Sequence, residues 1–231
     1  MSYAKRVGAA LAPRVTDIAP NLSAAFVHQA LNKAISGVGP LPSAATAANK
    51  QLTQNSGSLE RATHDVIENN VRYAGVQGFL TNIGGLVTMA VTVPANITGL
   101  ALIQCRMVAG IVHLRGYDLA DPRTRAAILT CLLGEEHILK MITAGTLPGT
   151  PMEVASIAMY DETLDTVLAN EVASELITRA AGKRLATTVG RRVPVVGGLV
   201  GAGTDAFVTW KIGRYVEREF LPRTGQPRKR R

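Results

Sequence analysis

Four histidines, two cysteines and a scatter of carboxylates are the groups in this 231-residue chain that could carry chemistry. Glu135-Glu136-His137 is the densest cluster, and its side chains suit a metal ion or general acid–base work. Adjacent helical residues point in different directions, so one ligand set is not expected from all three. His28, His64 and His113 stand apart, without an HExxH or other close ligand pair, and no metal is expected. Cys105 and Cys131 lie 26 positions apart in apolar patterns with no CxxC. They read as buried thiols in a reducing compartment, without a disulfide. Asn96, Gln104, His113, Asp118 and Asp121 flank apolar segments and could meet in a polar pocket. Each also has a structural reading: Asp121 as a helix cap, Asn96 beside a broken backbone, His113 as an ordinary surface or core histidine. Gly201-Ala202-Gly203 with Ala206 mimics a dinucleotide fingerprint. No second strand follows it, and after Asp205 the next acidic residue is Glu217, so no cofactor is expected. P-loop, nucleophile-elbow and kinase signatures are missing too, and the expectation is a protein without catalysis.

The elements that would position these residues are helical. A helix is expected over Ala24 to Ile35, ended by the Gly/Pro-punctuated loop Ser36 to Ser43. Another starts near Ser43 or after Ser56, with Ser58 as a cap before Leu59. Between Arg72 and Arg106 lie 33 uncharged positions, long enough for a membrane span. Pro94 and Asn96 interrupt them, which favours two shorter helices meeting at Pro94. Buried core helices, partial insertion and a true span all remain open. The second of these helices runs on to Gly116, a natural C-cap. Asp121 then caps a helix with Pro122 in its first turn, and the apolar pattern runs past Gly134 toward Ile142. After a loop from Thr143 to Met152, an amphipathic helix is expected from Glu153 to Ala181. Its carboxylates Asp161, Glu162, Asp165, Glu171 and Glu175 lie mainly opposite a stripe that includes Val154, Val167, Leu168, Val172 and Leu176. A glycine-rich hairpin near Gly198 closes the apolar part. The expected fold is therefore all-α: a compact multi-helix domain with buried or half-inserted hydrophobic hairpins and a flexible basic C-terminal tail.

The charge is distributed unevenly. Residues 1–182 hold 13 Lys and Arg against 14 Asp and Glu, whereas residues 183–231 hold 12 against three. The net charge of +8 therefore belongs to the C-terminal fifth. Lys183, Arg184, Arg191, Arg192, Arg228, Lys229, Arg230 and Arg231 are its candidate lipid- or anion-binding residues. The last nine residues contain no aromatic, and no zinc-finger, RRM or KH signature occurs, so no specific nucleic acid is expected. At the N-terminus, Pro13 and Arg14 cut a short apolar run too early for a signal peptide.

Several segments together resemble the EcsC family of bacterial proteins. They are Gly78-Phe79 with Gly84-Gly85-Leu86, the Val91-Thr92-Val93-Pro94-Ala95-Asn96 turn, Gln104 with Arg106-Met107, Gly116-Tyr117-Asp118, and Cys131-Leu132-Leu133-Gly134. Pro194-Val195-Val196-Gly197-Gly198-Leu199-Val200-Gly201, leading to Asp205, Ile212-Gly213 and Phe220, is similar to the same family's C-terminal motif. The resemblance implies a helical domain over residues 43–221, with an N-terminal extension over 1–42 and a basic tail over 222–231. It brings a fold and family motif residues, and no catalytic residues to carry over.

Three functions are weighed on this sequence. The first is a peripheral, non-catalytic module in the cytoplasm, on the inner face of the cell membrane, that binds anionic lipid or a membrane protein. The second is a soluble scaffold, possible as a homo-oligomer, that docks partners on its acidic helix. The third is an enzyme acting on an apolar substrate.

Overall fold

The computed structural model describes residues 23–75, 95–158, 161–189 and 194–223, with side chains described over 23–75, 97–158, 161–180 and 203–223. Among them the chain forms α1 Ala24–Ser36, α2 Ala44–Gln54, α3 Leu59–Gly75, α4 Ala95–Leu114 and α5 Pro122–Leu133. These are followed by α6 Glu135–Thr143, α7 Pro151–Val154, α8 Glu162–Val189 and α9 Pro194–Glu219. The described residues contain no β-strand, only an isolated bridge between Val38 and Leu41.

The core is organised around α4. Its apolar residues run all round the helix, the pattern of an element covered on every side. Of the segment Ile97–Leu114, 94% is buried inside the protein. Helices α1, α2 and α3 pack along it, and α5, α8 and α9 cover the rest. This helix is long and apolar enough to cross a membrane, yet other helices of the same chain surround it. The first half of the uncharged stretch, including Gly84, Gly85 and Pro94, lies outside the described residues, and Asn96 falls in the first turn of α4. Helix α1 belongs to the same core: Phe26, Val27, Ala30, Leu31 and Ala34 are all buried there.

Local chemistry sets the helix ends. The Ser43 hydroxyl accepts from the Thr46 amide at 3.0 Å and caps α2. Gly116, at φ +88°, closes α4: its amide bonds the His113 carbonyl while the Tyr117 amide reaches back to Val112. Asp121 caps α5 by accepting from the Arg123 amide at 2.9 Å, with Pro122 opening the helix. Hydrogen bonds from the Arg123 side chain and amide hold the Asp121 carboxyl below the usual aspartate range. Its stabilisation is therefore present above the ordinary aspartate pKa and lost as pH falls through the lower folded value. Asp121→Ala is expected to cost about 1 kcal/mol in urea unfolding at neutral pH, whereas Asp121→Asn, still a good cap, costs less.

Three sequence expectations change. Gly134, at φ +85°, breaks the run toward Ile142, so α5 and α6 are separate helices. The single amphipathic helix from Glu153 to Ala181 is likewise two elements. Thr150 and Glu153 form a reciprocal capping box that starts α7 at Pro151. Asp161 starts α8 by accepting from the Thr163 amide at 2.8 Å. The hairpin expected near Gly198 is also replaced, because α9 runs helically from Pro194 through Gly197, Gly198, Gly201 and Gly203 to Glu219. Proline opens that helix at the position it tolerates best.

Candidate functional site

The polar residues that could have formed an enzyme pocket are dispersed. Asp118 accepts from the Ala120 amide at 2.9 Å and shapes the connector after α4. Asp121 is the α5 cap described above. His113 lies 3.2 Å from the Asn49 amide oxygen on α2, and burial holds its pKa below the usual histidine value. Gln104 is fully buried and donates to the Thr209 hydroxyl at 3.1 Å, tying α4 to α9. The four groups serve four different structural ends.

The acidic cluster at the start of α6 also separates. Glu135 pairs with Arg218 of α9 at 2.8 Å, Glu136 with Lys140 at 2.7 Å, and His137 lies 3.4–3.5 Å from Glu175 and Glu171 of α8. Lys140 holds the Glu136 carboxyl below its ordinary value. Arg179 completes the arrangement, bonding Glu175 at 2.8 Å and donating to the Leu132 and Leu133 carbonyls that end α5. Glu135, Glu136, His137, Lys140, Glu175 and Arg179 line a cleft of about 620 Å³ between α6, α8 and α9, with Lys211 on its α9 wall. Its acids and bases neutralise one another and dock three helices. No group of three metal-ligating side chains occurs among the described residues. Cys105 and Cys131 are both buried free thiols, and burial pushes Cys105 up to about 12, far from nucleophilic thiolate.

Most family-motif residues in the described part do structural work. Tyr117 is buried, meets Phe220 edge-on with ring centroids 5.1 Å apart, and carries the Arg223 guanidinium over its other face at 4.1 Å. The Arg223 amide donates to the Arg115 carbonyl at 2.9 Å. Gly116-Tyr117 thus anchors the end of α9 on the end of α4. Asp205 is half-buried on α9. Lys183 and Arg184 fall on the last turns of α8, while Arg191, Arg192 and the tail residues Arg228, Lys229, Arg230 and Arg231 lie outside the described residues.

The outer face of α9 is where the surface departs from an ordinary solvated one. Thr209, Ile212, Gly213 and Val216 turn into the core. Phe207, Trp210, Lys211 and Arg214, spaced i, i+3, i+4 and i+7, form the opposite stripe. Phe207 is 58% and Trp210 47% exposed, with rings stacked at 6.1 Å and 20° between planes. Lys211 Nζ lies 5.8 Å from the Phe207 ring centroid, and Arg214 pairs with Glu217. Two large aromatics side by side in water, flanked by cations, present an apolar contact with positive charge beside it. A count of basic residues alone does not reveal this stripe. Its signal was the spacing of the chain's one tryptophan from Phe207 and Lys211.

Residues 2–224 match the EcsC protein family. No curated protein and no solved structure matches the chain.

Proposed function

The chain belongs to the EcsC protein family, and on that premise we propose that it is a non-catalytic helical module that binds the surface of an anionic membrane peripherally through α9. The exposed Phe207–Trp210 pair with Lys211 beside it carries this reading. Aromatic rings with one apolar body and one wet edge settle at the headgroup level of a bilayer, and cations beside them meet anionic phosphates. The basic residues concentrated after residue 182 add the electrostatic part. Two weak anchors, one apolar and one charged, hold a protein reversibly where either alone does not.

Vesicle flotation tests this. The full chain is expected to float with phosphatidylglycerol-containing vesicles, to stay behind with pure phosphatidylcholine, and to release as salt is raised. Failure to float with anionic vesicles at low salt would overturn the reading. A stable soluble complex indifferent to lipid would favour the scaffold instead.

A further inference from the structure

A second cavity, of about 310 Å³, opens between α2, α3, α4 and the Pro40-Leu41-Pro42 loop. Arg106 lies against it, 8% exposed, and Lys50 stands at its rim. The Arg106 Nε donates to the Pro42 carbonyl at 3.3 Å, and that is its one side-chain hydrogen bond among the described residues. No carboxylate pairs with Arg106 among those residues, and none lines the cavity. Burial works against its charge and lowers its pKa from the usual arginine value. A buried guanidinium without a counter-charge is costly to maintain, and this one borders open space. Gln51, Asn69 and Asn70 supply amides to the same cavity. Asn70 is 5% exposed; its Nδ2 donates to the Val66 carbonyl, while its Oδ1 has no hydrogen-bond partner among the described residues. The remaining wall is mostly apolar, with Leu41, Ala44, Ala48 and Val66, and also carries the Tyr73 ring, whose phenol acts on Arg106.

We propose that this cavity binds a small phosphate monoester or diester of a polyol, with the phosphate on Arg106 and Lys50 and the hydroxyls on the amides of Gln51, Asn69 and Asn70. Two cations and no acid suit a phosphate better than a single carboxylate. The volume stands at the lower end of small-ligand sites and fits a phosphate with a short carbon chain rather than a nucleotide or an acyl tail. Glycerophosphate chemistry meets these terms, and it comes either as a free metabolite or as a phospholipid headgroup. The site is separate from the α9 stripe, so it stands whether or not the protein binds membranes.

Calorimetric titration of the full chain with glycerol 3-phosphate, short-chain phosphatidylglycerol below its micelle concentration, inorganic phosphate and glycerol tests the proposal. Saturable binding of one or both esters, at least tenfold tighter than inorganic phosphate and with none for glycerol, is expected. Preference for the free ester or for the lipid identifies the source. Arg106→Met is expected to weaken ester binding at least tenfold while keeping or raising Tm in the absence of ligand, because it removes a buried charge with no carboxylate partner. A purely structural arginine would lower Tm instead. Lys50→Glu, at an exposed rim position, weakens binding without touching the core and decides the matter if the Arg106 variant does not fold. No ester binding at millimolar concentration, equal affinity for inorganic phosphate, or binding indifferent to both substitutions overturns the proposal.

Discussion

Replacing Phe207 and Trp210 together by alanine is expected to weaken binding to anionic vesicles roughly a hundredfold in a protein that still folds, with a lower Tm. About half of each ring faces solvent, 58% and 47% respectively. An aromatic side chain can bury about 150–250 Å² in all, so on the order of 100 Å² per ring is still available to a membrane. At about 25 cal/mol per Å², full burial would give about 2.5 kcal/mol per ring. The headgroup region supplies part of that, and about 3 kcal/mol for the pair corresponds to the hundredfold figure. The halves of the rings that face the protein, with Trp210 beside Ile67 and Val71, make some loss of stability expected as well, so binding is compared at a temperature where both proteins are folded. Lys211→Glu tests the other component: a basic residue near an anionic surface contributes about 1 kcal/mol, and its loss should shrink as salt rises. Trp210 is the chain's one tryptophan, so its emission reports directly on the stripe. A blue shift on adding anionic vesicles places the ring in the interface. An unshifted spectrum with vesicles bound would mean that another surface makes the contact.

The parts of this fold that were legible in the sequence are those fixed within one or two turns of chain. Asp121-Pro122 announced the start of α5, and Gly116 the end of α4, because a cap needs only its own neighbours. The all-α class followed from the same signals. The interruption between α7 and α8 was missed although its signals were present. Thr150-Pro151-Met152-Glu153 is a capping box with proline at the first helical position. Asp161 stands before Glu162 and Asp165, acids favoured in a first turn. The apolar spacing carried on across the gap and outweighed them. At Gly197 and Gly198 glycine itself does not decide between a turn and a close helix approach; both lie within α9, at a cost of up to about 1 kcal/mol each relative to alanine.

The candidate sites were less legible, because burial and pairing depend on residues distant in sequence. Arg106 reads in sequence as the charge that ends an uncharged run and as part of a family motif. Its meaning comes from Pro42, Lys50 and Asn70, which three other segments bring to it. Glu135-Glu136-His137 looked dense in sequence, and its partners on α8 and α9 disperse it. Trp210 and Lys211 show as an outward stripe only once Thr209 and Ile212 are seen turned inward. In each case the residue type was visible and the neighbour was not.

The inward face of α9 sets up a second large effect, at Gly213. A Cβ built there would sit 3.0 Å from both Cγ atoms of Ile67 on α3 and 3.1 Å from the Met107 Sδ on α4. Methionine can swing aside, but Ile67 is branched at Cβ and 2% exposed, so it has nowhere to move. Gly213→Ala is expected to destabilise by about 1–3 kcal/mol in urea unfolding, even though alanine is the better helix former. Gly213→Val, with two more carbons in the same space, should cost about 3 kcal/mol or more. Gly203, in the same helix, has nothing within 4 Å of its would-be Cβ. Gly203→Ala should therefore stabilise by about 0.5–1 kcal/mol, so one chemical change takes opposite signs ten residues apart. Ile67→Ala removes both clashing carbons and alone costs about 2–5 kcal/mol. Combined with Gly213→Ala, it should cost at least about 1 kcal/mol less than the two single changes predict when added, since the new methyl partly fills the cavity. Strict additivity would mean that α9 and α3 do not approach each other at Gly213. Loss of that approach would also free α9 to rotate, and Phe207 and Trp210 would no longer be held facing outward; vesicle binding by Gly213→Val should therefore fall along with its stability.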